Sequence, residues 1–154
     1  MKTLSGGCAC GEVRYECTEK PLLQFICHCR DCQHSGGSAF MAFVFVPRDR
    51  LTYLSGNLHH YDVSAESGRL LRRQFCGSCG SPVSAHWPAA PLVELLTSAS
   101  LDDQRLFTPT HELWMSRAEP WHPVHPDTLK LPHGPDEQLV RATLRAHFAA
   151  RQQP

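Results

Sequence analysis

The sequence has no excess of charge of either sign. Its 154 residues include 15 Lys and Arg and 15 Asp and Glu, and its isoelectric point is about 7.1. Proteins that bind nucleic acid or anionic lipid electrostatically usually present a cationic surface. The balance of charge therefore argues against both kinds of partner.

Long apolar segments are also lacking. The first residues, MKTLSGGCACGEVRYEC, reach glycine and a polar stretch too soon for the apolar part of a signal peptide. No later run approaches the ~20 apolar residues that a membrane-spanning helix needs. These features predict a cytoplasmic protein, in which thiols stay reduced and closely spaced cysteines bind metals more often than they form disulfides.

The length predicts a single domain, residues 1–154, with its own hydrophobic core. Short apolar or β-branched segments are separated by glycine, proline or asparagine, which is typical of antiparallel strands in a mainly β domain and not of βαβ units. The predicted strands are residues 12–17, 24–27, 40–46, 51–54, 59–63, 70–75, 83–86 and 93–97.

The rest of the chain predicts a helical turn, a surface segment and a helix. Residues 31–36 are compatible with one short helical turn. Residues 120–135 are too rich in proline for a helix or a central strand and are expected to follow the surface. Asp136 is a plausible N-cap for an amphipathic C-terminal helix over residues 136–151. The apolar face of that helix comprises Val140, Leu144 and Phe148.

Eight cysteines provide the most specific signal. Only Cys17 stands apart, at the end of a predicted strand, where we expect a small buried hydrophobic residue. The other seven fall into the clusters Cys8-Ala9-Cys10, Cys27-His28-Cys29-Arg30-Asp31-Cys32 and Cys76-Gly77-Ser78-Cys79-Gly80. Four thiolates close a tetrahedral zinc site, whereas three leave a position for water or substrate. The seven thiols therefore predict two zinc ions per chain, one structural and one reactive.

Cys76 and Cys79 have the spacing of a zinc knuckle, in which glycine permits a positive φ and backbone N–H groups point at the sulfurs. A knuckle supplies two ligands and needs a second pair. Cys8 and Cys10, followed by Gly11, are the natural partners because this pairing leaves the middle cluster intact. A structural zinc at these four cysteines would join the N-terminal strand to a distant hairpin.

The middle cluster places Cys27, Cys29 and Cys32 close together. A zinc ion with three thiolate ligands remains a Lewis acid and can hold a further thiol as thiolate at neutral pH. A redox role for Cys29 and Cys32 would need a thioredoxin-like βαβ context, which the strand pattern does not predict. The alternative is a second structural site with a histidine as fourth ligand. The candidate histidines are His28, His34, His86 and His111.

Arginine and tryptophan provide weaker signals. Arg72 and Arg73 are adjacent in a predicted strand and point to opposite faces, so at most one of them can face an acidic ligand. Trp114 and Trp121 flank Arg117, and they fit either an aromatic core or the wall of a pocket.

Three cysteine clusters in this order, with their flanking glycines, resemble the glutathione-dependent formaldehyde-activating enzyme (GFA) family, which also includes centromere protein V. The resemblance runs from about Leu4 to Trp121. It implies a mainly β, Mss4-like β-tent fold of short antiparallel strands, with a structural zinc at the outer two clusters and a second zinc at the middle one.

The resemblance also implies a function. It indicates a zinc-dependent carbon–sulfur lyase that condenses a small thiol such as glutathione with formaldehyde or a related aldehyde to an S-hydroxymethyl adduct. A competing hypothesis is a zinc-stabilised protein-interaction module in which both zinc ions are structural. The fourth ligand of the middle cluster distinguishes the two hypotheses.

Overall fold

The structure is a computed structural model that describes residues 3–150, apart from the side chains of residues 137, 148 and 150. The described chain is mainly β with short, mostly antiparallel strands and two α-helices, which confirms the predicted fold class. The strands are β1 (Leu4–Gly7), β2 (Arg14–Cys17), β3 (Leu23–Cys27), β4 (Met41–Pro47), β5 (Leu51–Ser55), β6 (Leu58–Ser64), β7 (Leu70–Cys76), β8 (Pro82–His86), β9 (Val93–Thr97), β10 (His111–Leu113) and β11 (Leu129–Lys130). The helices are α1 (Arg30–Gly36) and α2 (Glu137–Ala150).

The eight predicted strands are confirmed as β2 to β9, with ends that shift by one or two residues. The predicted helical turn is α1, and the predicted C-terminal helix is α2. The predicted last residue of that helix, 151, lies outside the described residues. β1, β10 and β11 were not predicted because they are short and carry no extended alternating pattern.

The strands form two sheets. The smaller has the order β1-β2-β5, and the larger has the order β11-β10-β3-β4-β9-β8-β7-β6. The strand pairs of both sheets are antiparallel with the exception of those made by β10, which runs parallel to both β3 and β11. The last residue of β3, Cys27, therefore lies between β4 and β10 in the larger sheet.

β4 shows how one strand contributes to two hydrophobic cores. Phe43 and Phe45 belong to the core that contains the middle cysteine cluster, whereas Val44 and Val46 belong to the core shared with the smaller sheet. All four side chains are almost inaccessible to solvent. Burial of one such side chain contributes about 1.5–3 kcal/mol to stability, so β4 is central to both cores.

Most of the proline-rich segment, residues 120–135, is exposed or half-buried, and it supplies the edge strand β11. Its backbone is tied to the residues that follow β10. The amide of Trp114 donates to the carbonyl of His133 at 3.0 Å, and the amide of Met115 donates to that of Leu131 at 3.0 Å. This part of the chain therefore lies beside the end of β10.

The C-terminal helix begins as predicted. Asp136 Oδ1 accepts a hydrogen bond from the Leu139 amide at 2.6 Å, which confirms the N-cap. Val140 and Leu144 pack on the core that contains the middle cysteine cluster, while the side chain of Phe148 is outside the description. Neither α2 nor any other helix among residues 3–150 is long and apolar enough to cross a membrane.

Candidate functional site

Four cysteines from two distant loops meet beside the core shared by the two sheets. The sulfur atoms of Cys8, Cys10, Cys76 and Cys79 all lie within 4.8 Å of one another. Cys10 Sγ lies 3.4 Å from Cys8 Sγ and 3.8 Å from Cys76 Sγ. Two sulfurs of a tetrahedral zinc site with Zn–S bonds of about 2.3 Å are about 3.8 Å apart. The group therefore fits a zinc ion.

Each of these loops is shaped by a glycine. Gly11 (φ 79°) and Gly80 (φ 73°) both adopt the left-handed conformation, which is strained for residues with a side chain. The Gly80 amide donates to the Cys76 carbonyl, four residues back, at 2.9 Å, and the Gly11 amide donates to the Cys8 carbonyl, three residues back, at 3.1 Å. The Val13 amide donates to Cys8 Sγ at 3.2 Å. Each loop is thus a tight turn that ends at a glycine and brings its two cysteines together.

The second group consists of Cys27 at the end of β3, Cys29 just before α1 and Cys32 in its first turn. We call these three residues the cysteine triplet. They are buried, and their sulfur atoms lie within 4.8 Å of one another. Hydrogen bonds from Cys27 and Cys32 lower the pKa of Cys29 to about 3, whereas the contact with Cys29 raises the pKa of Cys27. Within the triplet, negative charge is therefore favoured on Cys29 and disfavoured on Cys27, and all eight cysteines of the chain are free thiols.

Within residues 3–150, no histidine or carboxylate joins the triplet. His28 lies between two of its cysteines, but its Nε2 faces Glu112 Oε1 at 3.1 Å. His86 lies beside Glu94, with 3.8 Å between Nδ1 and the carboxylate. None of the four candidate histidines therefore lies with the triplet sulfurs in the way that a second structural site with a histidine ligand would require. Cys17 is fully buried and outside both groups, as predicted.

Glu112 on β10 joins the triplet segment to the proline-rich segment. It is only 1% exposed, and it accepts hydrogen bonds from Thr128 Oγ1 at 2.7 Å and from His28 Nε2. Lys130 Nζ lies 3.4 Å from the same carboxylate. Burial opposes the negative charge of Glu112, but the hydrogen bonds from Thr128 and His28 outweigh burial and lower the pKa of this carboxyl group. Sequence reasoning missed Glu112 because a single carboxylate in a three-residue strand forms no motif.

Glu112→Ala is expected to lower the free energy of unfolding by about 3 kcal/mol or more, because it leaves buried donors without a partner. For a domain of this size, that corresponds to a fall in Tm of about 10 °C. This fall in Tm is measured by thermal denaturation of the zinc-loaded protein. The control is Glu119→Ala, which removes a carboxylate that is 32% exposed and 3.4 Å from Arg30 and should cost about 1 kcal/mol or less. An equal fall in Tm for both variants would contradict the role given to Glu112.

The triplet faces a cavity of about 380 Å³, a size within the range of roughly 300–1,000 Å³ that is usual for small-molecule sites. Most of its lining is apolar or aromatic, and its charged side chains are few. The apolar lining comprises Phe25, Phe43, Leu71, Trp87, Leu95, Leu113 and Trp114, and the charged lining comprises Glu66, Arg69 and Arg73. An apolar cavity with a few placed charged groups is the common form of a small-molecule site.

β7 brings only one of its two adjacent arginines to this cavity. Arg73 lines it, and Arg73 Nη2 lies 3.8 Å from Cys32 Sγ. Arg72 lies on the other face of the strand, where its Nη2 is 2.7 Å from Asp62 Oδ2. The two side chains are divided between the faces of the strand as the sequence predicts.

The chain that carries these two cysteine groups matches the model of a known protein family. The family model of the glutathione-dependent formaldehyde-activating enzyme matches residues 3–117. This range covers both cysteine groups and most of the cavity lining. The chain belongs to this family.

Other comparisons concern the fold. A crystal structure of a protein from Rhodobacter sphaeroides is similar to this GFA-family chain, with a TM-score of 0.50 and 22% sequence identity. The similarity covers 64% of this chain and 87% of that chain. The comparison with curated proteins finds no match.

The outer wall of the cavity comes partly from beyond the region that the GFA family model matches. His133, Gly134 and Pro135 line the cavity beside Trp114. Trp114 has a φ of 61°, a conformation that costs a residue with a side chain about 1–3 kcal/mol. Its Nε1 lies 3.1 Å from the position that a Cβ on residue 134 would take, so glycine there lets the indole pack on the backbone. Of the two tryptophans that flank Arg117, Trp114 thus forms part of the cavity wall, whereas Trp121 is 69% exposed.

Proposed function

We propose that the chain is a zinc-dependent carbon–sulfur lyase that joins a small thiol such as glutathione to formaldehyde or a related aldehyde. The observation that carries the proposal is the cysteine triplet. Its three buried thiols have no fourth protein ligand among the described residues, and they face a cavity of about 380 Å³. Membership of the GFA family supports the same reaction class.

The two cysteine groups fit two zinc ions per chain with different roles. Cys8, Cys10, Cys76 and Cys79 would hold a structural ion, and Cys27, Cys29 and Cys32 would hold the second ion. At a three-thiolate site, zinc supplies a Lewis acid that lowers the pKa of a thiol.

The reaction requires two reactants to meet in one orientation. A bond forms between the thiol sulfur and the carbonyl carbon, the carbonyl π bond breaks, and the thiol proton is transferred to the carbonyl oxygen. No third reactant supplies or accepts an atom, and the reverse reaction releases the aldehyde. Holding both reactants together in the cavity converts a bimolecular encounter into a reaction within one complex.

Residues of this chain provide the surroundings for that step. Arg73 beside Cys32 favours negative charge near the triplet. Phe25 and Phe43 belong to the apolar wall of the cavity. Gln33 holds α1 in place, since its Nε2 lies 2.9 Å from the carbonyl oxygens of both His28 and Arg117. The triplet is therefore held by contacts that do not depend on substrate.

The zinc-loaded protein is expected to accelerate exchange between free glutathione and S-hydroxymethylglutathione in the presence of formaldehyde. Exchange NMR at equilibrium is the suitable measurement, because the uncatalysed reaction also proceeds and would hide a slow enzyme in an end-point assay. One well-placed charge interaction in an active site contributes about 10²-fold or more, so we expect an acceleration of at least that order.

Cys29→Ser is the matched control, because it removes one ligand of the triplet and leaves the other cysteine group intact. If wild type and Cys29→Ser give the same exchange rate with glutathione and with other small thiols such as cysteine, the lyase proposal is wrong. The zinc-stabilised protein-interaction module would then be the better hypothesis.

A further inference from the structure

The buried and the exposed parts of the cavity lining differ in chemistry. Glu66 and Arg69 are exposed and lie in the turn between β6 and β7, at the mouth of the cavity. Apart from the triplet, the buried side chains of the lining are all apolar, and each comes from a different strand of the larger sheet. They are Phe25, Phe43, Leu71, Leu95 and Leu113, and we call these residues the cavity floor.

The cavity floor begins next to the triplet. Phe25 and Cys27 are alternate residues of β3, so their side chains lie on one face of the strand, about 7 Å apart. Phe25 pairs with Phe43 of β4, and the centroids of the two rings are 5.5 Å apart. Leu113 of β10 pairs with Cys27 on the other side. A molecule that reacts at the triplet can therefore extend directly onto apolar side chains.

The cavity floor favours one kind of ligand group. A hydroxyl or charged group that is buried against apolar side chains loses its hydrogen bonds to water, which is unfavourable. Each methylene group that is buried there instead strengthens binding by about fourfold. The floor therefore selects an apolar group over a polar group of the same size.

The size of the cavity exceeds what formaldehyde needs. An apolar cavity of about 150 Å³ is large enough to hold benzene, whereas this cavity has a volume of about 380 Å³. The difference leaves room for the reacting part of a thiol beside an apolar group as large as benzene. Formaldehyde has no substituent on its carbonyl carbon, so it would leave the cavity floor uncovered.

We infer that the preferred aldehyde of this protein carries an apolar substituent, with about the bulk of a branched alkyl chain or a phenyl ring, that binds on the cavity floor. The inference rests on the proposed function, because it places the carbonyl carbon at the triplet. The thiol sulfur bonds to that carbon, the carbonyl π bond breaks, and the thiol proton is transferred to the carbonyl oxygen. The product is the corresponding hemithioacetal.

Three aldehydes test the inference on the wild-type protein. Isovaleraldehyde has a branched apolar substituent, glyceraldehyde has the same number of non-hydrogen atoms but carries two hydroxyl groups, and formaldehyde has no substituent. Exchange NMR with glutathione gives the ratio of the catalysed to the uncatalysed rate for each aldehyde below saturation. We expect this ratio to be at least about tenfold higher for isovaleraldehyde than for the other two, because only its substituent gains from burial on the floor.

Leu71→Phe and Leu70→Phe are matched variants, because they make the same change at adjacent residues of β7. Leu71 is 7% exposed and lines the cavity, whereas Leu70 is 49% exposed and lies on the other face of the strand. Leu71→Phe fills part of the cavity and should lower the activity with isovaleraldehyde relative to formaldehyde about tenfold. Leu70→Phe should leave this relative activity unchanged. An effect on the thiol cancels, because both aldehydes react with the same thiol.

A second measurement does not depend on catalysis. Isoamyl alcohol and glycerol are unreactive analogues of isovaleraldehyde and glyceraldehyde, and NMR of the tryptophan indole N–H groups detects their binding to the zinc-loaded protein without thiol. Trp87 and Trp114 line the cavity, whereas Trp121 is exposed and serves as an internal control. Isoamyl alcohol should shift the signals of Trp87 and Trp114 only, and glycerol should shift none. Leu71→Phe should weaken the binding of isoamyl alcohol about tenfold.

Equal acceleration of isovaleraldehyde and glyceraldehyde, or the largest acceleration with formaldehyde, would overturn the inference and leave the lyase proposal intact. If Leu71→Phe does not fold, the comparisons of aldehydes and of alcohols on wild type still decide, because they need no variant. No acceleration with any aldehyde would refute the lyase proposal. Binding of isoamyl alcohol but not glycerol would then still support the cavity floor as an apolar binding site, whereas equal binding or none would refute that as well.

Discussion

Cys76→Ser is expected to leave the protein largely unfolded and unable to retain the structural zinc ion. Cys76 is completely buried in the core shared by the two sheets, and its sulfur meets those of the N-terminal loop. Structural zinc sites in finger peptides contribute about 10–16 kcal/mol at neutral pH. A domain is stable by only about 5–15 kcal/mol in total, so the loss of most of that binding energy exceeds what the rest of the fold can supply.

Far-UV circular dichroism and zinc content measure this effect. Cys17→Ser is the matched control, since Cys17 is equally buried in the same core but belongs to neither cysteine group. Its sulfur lies 3.6 Å from the carbonyl of Glu19, which a serine hydroxyl can also use. Cys17→Ser should therefore fold and hold two zinc ions. A folded Cys76→Ser protein with the thermal stability of wild type would show that these four cysteines do not hold a structural ion.

The cysteine groups could be predicted from the sequence because coordination chemistry restricts how thiols combine. Seven clustered thiols divide most simply into a closed set of four and an open set of three. The distances between the sulfurs agree with this division although Cys8 and Cys76 are far apart in the chain. Strands such as β4 could also be predicted, because a continuous apolar segment is recognisable from its own residues.

The edge of the larger sheet could not be predicted in this way. β10 and β11 have three and two residues, and each depends on a neighbour that is distant in sequence. His111 pairs with Phe25, and the same residue pairs with Leu129 on the other side. Such strands are defined by their partners and not by local periodicity. Glu112, which lies within β10, was missed for the same reason.

The charged side of the cavity was also beyond sequence reasoning. Alternation places Leu71 and Arg73 on one face of β7 and Leu70 and Arg72 on the other, and each face therefore carries one leucine and one arginine. The pattern therefore divides the two arginines between the faces without saying which face is inside. The outer wall near Gly134 depends on the conformation of Trp114, for which the sequence carries no signal.

Cys29→Ser is expected to separate folding from activity. It should reduce bound zinc from two ions to one per chain, because a serine hydroxyl is a poor ligand for zinc and two thiolates are too few to retain the ion. The triplet segment has other supports. β3 pairs with β4 on one side and with β10 on the other, and Gln33 and Glu112 hold the backbone and the imidazole of His28. The far-UV circular dichroism spectrum should therefore remain close to that of wild type.

The same variant should lose catalysis of exchange between glutathione and its S-hydroxymethyl adduct by about 10²-fold or more. Zinc content, circular dichroism and exchange NMR on one preparation measure all three properties together. Cys29→Ser and Cys76→Ser each remove one thiol, so a difference between them reflects the role of the group and not the substitution. If Cys29→Ser unfolds as completely as Cys76→Ser, the triplet is a structural site, and the lyase proposal loses the observation on which it depends.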